Sequence, residues 1–175
     1  MKEKLDFIYF FVIFNYFYIY YSKEIQVFFS YMEKLVLICY NISRRCEMKP
    51  ALLVIDMQSA YYSHTSRIRD SFEEVFVYIN AAIALFRKKD LPIFVVLHVD
   101  EKEGLTLNRE GFKICEQIHS LPSGFQIKKH KGSAFTGTKL EEMLKDLSVD
   151  TLIITGFSAE YCVLSTYRAA SDLEY

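Results

Sequence analysis

A cysteine, Cys162, stands where a predicted strand gives way to a predicted helix. Residues 151–155 form a short, apolar, β-branched run typical of a buried parallel strand, and Gly156 predicts a sharp turn after it. Free backbone N–H groups and the positive end of a helix dipole lower the pKa of a thiol at such a place. Cys162 is therefore a candidate thiolate nucleophile. From the local residues alone, a small buried hydrophobic side chain is the better supported interpretation.

An aspartate follows another predicted strand. Residues 51–55 form an apolar run, and Asp56 is the first charge after it. A carboxylate at the C-terminal end of a parallel strand points into the crevice where α/β proteins bind ligands. From the residues alone, a role for Asp56 as a helix N-cap or turn residue is equally well supported.

Three lysines, Lys128, Lys129 and Lys131, stand at the end of a third short strand, predicted at 125–130. Clustered lysines usually mark a solvated surface. A lysine at this strand end would also lie close to Asp56 and Cys162. There it would steady a thiolate and orient a substrate carbonyl.

A histidine and an aspartate, His98 and Asp100, end the strand predicted at 92–99. They could face the same site or bind a metal ion. An H-x-D pair supplies only two ligands, with no third one nearby, whereas zinc sites in proteins use three or four. We therefore predict no metal and no cofactor.

The elements that must position these side chains alternate along the chain. The order is strand, helix, strand, irregular segment, strand, helix, strand, helix, with a long amphipathic helix at 68–89. This alternation predicts an α/β fold, a doubly wound, Rossmann-like parallel sheet with helices on both faces. Right-handed crossovers place the C-terminal strand ends on one rim, so Asp56, Lys129 and Cys162 can reach one crevice.

Three motifs together resemble the isochorismatase-like hydrolase superfamily, which includes nicotinamidases and carbamoylsarcosine amidases. They are LLVIDMQ at 52–58, KHKGSAFTGTKL at 129–140 and ITGFSAEYCVLSTYRAASDLEY at 154–175. They occur in family order and at family-like spacing, and the resemblance covers residues 48–175. Each motif alone is weakly specific, whereas the three together are a strong signal.

The resemblance implies a catalytic Asp–Lys–Cys triad, which by motif is Asp56, Lys129 and Cys162. Lys129 holds the family position six residues before the Phe of the SAF loop, and the two neighbouring lysines do not. The resemblance also implies an oxyanion-binding turn at Phe157, Ser158 and Cys162, with a cis peptide bond between Phe157 and Ser158.

The chemistry implied is hydrolysis of a C–N bond in a small amide, imide or ureido substrate. Asp56 would take the thiol proton and later pass it to the leaving amine, while Lys129 favours the thiolate. Backbone N–H groups, including that of Cys162, would bind the oxyanion, and a thioester acyl-enzyme would then be hydrolysed. Substrate specificity would come from predicted loops at 59–66 and 101–122. True isochorismatases resemble this fold but lack the cysteine.

The chain departs from the family pattern in several places. Ala159 stands where the family commonly has Thr, and Glu174 stands where a Gly usually ends the helix. The metal ligands of nicotinamidases, an aspartate and two histidines after the second strand, are not matched. The family sheet continues with two more strands and a helix, so we expect a domain at 48–175 that is incomplete at its C-terminus. The strand at 151–155 would then be an exposed edge.

The first 47 residues differ in composition from the rest. Of the 28 Phe and Tyr residues, 13 lie in the first 31 positions. The apolar run at 7–21 is shorter than the roughly 20 residues that a membrane span needs. We therefore predict an aromatic-rich appendage at 1–47, with membrane contact through 7–40 as the weaker alternative.

Charge and cysteine usage exclude some classes of protein. A net charge of −1 gives no general affinity for nucleic acid. The four cysteines form no CxxC pair, which predicts a reduced, cytoplasmic setting. We expect a small-molecule substrate, no nucleic-acid partner and assembly into a homo-oligomer. The rival hypotheses are a catalytically silent domain used for binding or oligomerisation, an incomplete gene product, and a membrane-tethered hydrolase.

Overall fold

The computed structural model describes residues 48–119 and 125–175. The first half contains β1 (Pro50–Ile55), α1 (Ser59–Tyr62), α2 (Ser66–Lys88), β2 (Ile93–His98) and a 3-10 turn (Glu110–Phe112). The second half contains β3 (Phe125–Lys129), α3 (Leu140–Asp146), β4 (Thr151–Gly156), a π-helical turn (Ala159–Val163) and α4 (Leu164–Asp172). The predicted appendage at 1–47 and its membrane contact lie outside the described residues.

The four strands form one parallel sheet in the order β3-β2-β1-β4. The central strand β1 is fully buried from Ala51 to Ile55, as its continuous apolar run predicts. Ile55 at its end is level with Val96 of β2 and Gly156 of β4, so these strands end at one rim. The predicted α/β fold with a parallel sheet is confirmed.

Alternate side chains of β1 point into two different cores. Leu52 and Val54 pack with the apolar face of α2, which contributes Phe72, Phe76, Ile79, Ile83 and Phe86. Ala51, Leu53 and Ile55 pack on the opposite face with Leu140, Leu144 and Ala170 from α3 and α4. Helices therefore cover both faces of the sheet, and the free rim lies at the strand ends.

The first loop predicted to shape specificity is partly helical. The prediction of a loop at 59–66 is wrong because α1 fills its first half. This turn is tied to the segment before β3, since Ser59 N donates to Lys113 O at 2.9 Å and Ser59 Oγ to Glu110 O at 2.8 Å. Thr65 then caps α2 by accepting a hydrogen bond from Ile68 N at 3.2 Å. Within residues 48–119 and 125–175, the helices lack the length and apolar character needed to cross a membrane.

Candidate active site

The turn that carries Cys162 depends on two unusual backbone conformations. Gly156 has a φ of +141°, and a Cβ added there would lie 2.0 Å from Ile55 O. Ser158 is left-handed, with φ 65° and ψ 61°. Its carbonyl accepts hydrogen bonds from Tyr161 N at 3.0 Å and Val163 N at 3.3 Å, which closes the π-helical turn. The nucleophile candidate is thus held on a constrained corner.

The predicted cis peptide bond between Phe157 and Ser158 is wrong for this structure. No peptide bond among the described residues is cis. The reversal comes instead from Gly156 and from the left-handed Ser158, conformations that L side chains rarely adopt. Phe157 N donates to Ile55 O at 2.9 Å and fixes the turn against the end of β1.

The ammonium of Lys129 is the centre of the site. Its side chain is fully buried, and Nζ lies 2.9 Å from Asp56 Oδ2 and 3.2 Å from Cys162 Sγ. Nζ also contacts His98 Nδ1 at 3.1 Å and Lys131 O at 3.2 Å. The three residues predicted to share a crevice therefore meet around one nitrogen, although their strands are not all neighbours in the sheet.

The Asp56 carboxylate is a buried anion with unused acceptor capacity. Asp56 is 1% exposed, and its backbone is left-handed with a φ of 54°. Its N–H donates to Val96 O at 2.9 Å, which holds the residue at the end of β1. Neither carboxylate oxygen has a well-aligned hydrogen-bond partner in the described part of the chain, so Lys129 is bound as an ion pair. The carboxylate is thereby free to take a proton.

The surroundings of Cys162 favour its thiol over its thiolate in the resting site. Burial raises its pKa to about 11, the nearby charge of Asp56 adds to the rise, and Lys129 opposes both. This direction runs against the expected resting thiolate. The helix N-terminus and the lysine favour the anion, but the cost of burying a second negative charge beside Asp56 outweighs them.

His98, for which the sequence left open a place in the site or a metal-binding role, completes the shell around Lys129. His98 is level with Lys129 in the parallel register of β2 and β3. Its main chain is clamped by Gln58, because His98 N donates to Gln58 Oε1 at 2.8 Å and Gln58 Nε2 donates to His98 O at 3.0 Å. Burial, and then the charge of Lys129, hold the pKa of His98 below its ordinary value.

Tyr61 is a second residue that sequence reasoning left in a loop. Its ring lies on that of Phe157, with centroids 4.9 Å apart. Burial raises the pKa of its phenol, and the charge of Asp56 raises it further. Tyr61 therefore lies close enough to the triad to respond to its charge, and its ring packs against Phe157 of the turn.

Comparison with known proteins identifies the family to which this arrangement belongs. A family model described as the isochorismatase domain matches residues 50–175. The chain belongs to the isochorismatase family. The predicted resemblance is thereby confirmed, and the match covers the strands and turns that carry Asp56, Lys129 and Cys162.

Relatives in this family include proteins with named amidase activities. The isochorismatase family protein YrdC of Bacillus subtilis is 30% identical over 131 residues, covering 74% of this chain and 70% of that protein. The ureidoacrylate amidohydrolase RutB of Pseudomonas savastanoi is 26% identical, covering 73% and 68%. The structure of N-carbamoylsarcosine amidase from Thermoplasma acidophilum is 26% identical with a TM-score of 0.64, covering 73% and 79%. The chain is thus a member of a hydrolase family with amidohydrolase relatives.

The alternative of a metal site at His98 and Asp100 finds no supporting geometry. His98 Nδ1 faces Lys129, and Asp100 Oδ1 accepts the backbone N–H groups of Lys102 and Glu103 at 2.8 Å and 3.3 Å. Over residues 48–119 and 125–175, no three His, Cys, Asp or Glu side chains are grouped so as to hold a metal ion. In this member of the isochorismatase family both residues have other partners.

Proposed function

We propose that this protein is a cysteine hydrolase that cleaves a C–N bond of a small amide, imide or ureido compound. The observation that carries the proposal is the meeting of Asp56 Oδ2 and Cys162 Sγ at Lys129 Nζ, at 2.9 Å and 3.2 Å. An acid–base group, a nucleophile and a fixed cation are the parts that acyl transfer through a thiol requires. The named activities of the relatives RutB and N-carbamoylsarcosine amidase support an amide-like bond.

The first step moves one proton and forms one bond. Asp56 takes the thiol proton as Sγ attacks the substrate carbonyl carbon, so the negative charge passes from the carboxylate to sulfur and then to the carbonyl oxygen. Lys129 contacts both partners and stabilises the charge on either side of the transfer. A resting thiol with a pKa of about 11 is compatible with this step, because its base is already in place.

The second step expels the amine and then regenerates the enzyme. The protonated Asp56 gives its proton to the leaving nitrogen, the C–N bond breaks, and a thioester remains on Cys162. Water then attacks the thioester, Asp56 takes its proton, and the carboxylic acid product leaves as the thiol re-forms. Atoms and charges balance without a cofactor.

The oxyanion is assigned to backbone N–H groups of the turn, with one correction. The N–H of Phe157 is already bonded to Ile55 O at 2.9 Å, so it is not a free donor. The N–H groups of Tyr161 and Val163 are likewise bonded, to Ser158 O, so the proposed oxyanion hole consists of the Cys162 N–H and an N–H earlier in the turn that begins at Ser158. The proposed catalytic unit is the domain at 48–175, with 1–47 as an appendage.

The proposal is tested by turnover and by trapping the acyl-enzyme on the full chain. Primary amides, cyclic imides and N-carbamoyl compounds are screened for ammonia or acid release, and the peptide that contains Cys162 is examined by mass spectrometry. We expect an acyl adduct on that peptide and loss of turnover in Cys162→Ala, with Cys115→Ala as the control thiol. Turnover that survives in Cys162→Ala would overturn the proposal. The absence of turnover and adduct with all three classes would favour the catalytically silent domain.

A further inference from the structure

The Lys129 ammonium has more acceptors than protons. An ammonium offers three N–H donors and accepts nothing. Its four partners are Asp56 Oδ2, Cys162 Sγ, His98 Nδ1 and Lys131 O, at 2.9 to 3.2 Å. Cys162 Sγ, His98 Nδ1 and the Lys131 carbonyl lie in hydrogen-bonding geometry, whereas Asp56 Oδ2 is held as an ion pair.

The four acceptors divide into two that change charge and two that do not. If Asp56 takes the thiol proton, its carboxyl group becomes neutral and no longer forms an ion pair with the ammonium. The sulfur becomes a thiolate and forms the ion pair instead. His98 Nδ1 and Lys131 O stay neutral acceptors throughout this exchange. The two constant partners can therefore keep Nζ in place while its ionic partner changes, which preserves the arrangement needed for catalysis.

We propose that His98 is a positioning residue that holds the Lys129 ammonium through an unprotonated Nδ1 while charge moves from Asp56 to Cys162. The inference rests on the proposed function. Because an ammonium can only donate, the 3.1 Å contact requires the tautomer with its proton on Nε2. A protonated imidazole could not accept this bond and would repel Lys129.

The surroundings of His98 favour the neutral ring and hold it in register. Burial and the Lys129 charge lower its pKa, while Asp56, Asp100 and Glu103 are the charged groups that oppose the shift. The main-chain clamp by Gln58 uses only the backbone of residue 98, so it survives a change of side chain. Substitutions of His98 therefore change the acceptor for Lys129 but keep the hydrogen bonds between Gln58 and the backbone of residue 98.

Two variants separate the acceptor from the bulk of the side chain. Asn offers Oδ1 near the place of Nδ1 and does not titrate, whereas Leu fills the space without an acceptor. We expect His98→Leu to lower kcat about 10- to 100-fold with little change in KM, since one charged hydrogen bond is lost. We expect His98→Asn to recover most of kcat at neutral pH and to lose the acidic limb that His98 imposes on the kcat/KM profile. Gln126→Leu, at an exposed position of β3, is the control.

Two further readouts need no substrate. Alkylation of Cys162 by iodoacetamide, followed on its peptide in the full chain, is expected to slow in His98→Leu, because the ammonium is drawn toward Asp56. Two-bond ¹H–¹⁵N NMR spectra of the imidazole are expected to show the Nε2–H tautomer for His98 at neutral pH. A proton on Nδ1, or His98→Asn as impaired as His98→Leu, would overturn the inference.

The outcomes distinguish this inference from the proposed function. If Asp56→Asn and Lys129→Met change the alkylation rate of Cys162 but His98→Leu leaves it unchanged, the positioning role alone fails. If none of the three variants changes that rate, the assembled triad fails and the inference falls with it.

Discussion

Replacing Asp56 with Asn is expected to have opposite effects on thiol reactivity and on turnover. The carboxylate raises the pKa of Cys162 and, in the proposed mechanism, also acts as its base. Without it, Lys129 is left with sulfur as its one anionic partner, which favours the thiolate. Asn is nearly isosteric, so the change removes charge rather than volume.

The size of the effect follows from the geometry around Nζ. Oδ2 and Sγ lie 2.9 Å and 3.2 Å from the same nitrogen, so they are at most about 6.1 Å apart. Two unit charges at that distance interact by about 3 kcal/mol at an effective dielectric constant of about 20, or about two pKa units. Because Cys162 is partly exposed, screening by solvent reduces this to about one unit at the least. The thiolate fraction at neutral pH should therefore rise about 10- to 100-fold.

The assay is the iodoacetamide rate against pH, followed at the Cys162 peptide of the full chain. The wild-type rate should keep rising with pH toward about 11, whereas the rate of Asp56→Asn should level off at a lower pH. Amide turnover should fall about 10²- to 10⁴-fold, the usual loss for a general base. Asp100→Asn is the matched control, because the amide keeps an acceptor for the N–H groups of Lys102 and Glu103.

One result would refute the electrostatic reasoning and another the chemical role. An alkylation rate in Asp56→Asn equal to or below that of the wild type would mean that the carboxylate does not act on the thiol. Faster alkylation with turnover unchanged would mean that Asp56 perturbs Cys162 but is not its base.

Three further predictions concern stability. Lys129→Met leaves the buried Asp56 without its counter-charge and should lower the free energy of unfolding by about 3 to 5 kcal/mol in urea titrations, whereas Lys128→Met, at an exposed position, should be nearly neutral. Gly156→Ala places a methyl group 2.0 Å from a β1 carbonyl at a φ of +141° and should cost at least about 3 kcal/mol. A melting midpoint within a degree or two of wild type would contradict that reasoning. Burial raises the pKa of Cys115 to about 11, above its unfolded value. The buried neutral thiol of Cys115 therefore makes its full contribution to the free energy of unfolding below about pH 8.5, and this contribution is lost as the pH rises through about 11. Cys115→Ala should therefore lose less unfolding free energy between these two pH values than the wild type does, as measured by urea titration at each pH. An equal loss in the two proteins would contradict the prediction.

The meeting of the three predicted site residues could be inferred from the sequence, because all three follow one rule. Asp56, Lys129 and Cys162 each lie at or just after the end of a predicted parallel strand, and parallel strands end on a common rim. That rule brings them near one another without knowledge of the strand order. Their catalytic roles are a proposal that this meeting supports.

His98 obeys the same rule, yet its partner could not be read from the sequence. Alternation of strands and helices does not give the order β3-β2-β1-β4, and it is this order that sets His98 level with Lys129. The H-x-D spacing was compatible with a place in the site or with metal binding, and it indicated no partner for the imidazole. The signal in the sequence was a histidine and a lysine that each end a strand. Their contact can be inferred only once the register of β2 with β3 is known.

The upward direction of the thiol pKa and the shape of the turn could not be predicted from the sequence, for physical reasons. The helix N-terminus is visible in sequence, but the burial that opposes it at Cys162 depends on the packed site. Ser158 is not a residue type that predicts a left-handed conformation, so the route by which the chain reverses was not evident.

The strand order has a consequence for the sequence of events during folding. β1, β2 and β3 are neighbours in the sheet and consecutive in the chain, whereas β4 must return to the far side of β1. Pairing over so long a separation closes a large loop before its contacts are gained. The strand order therefore allows Asp56, His98 and Lys129 to come together on a three-stranded sheet before β4 pairs with β1 and brings Cys162 to them.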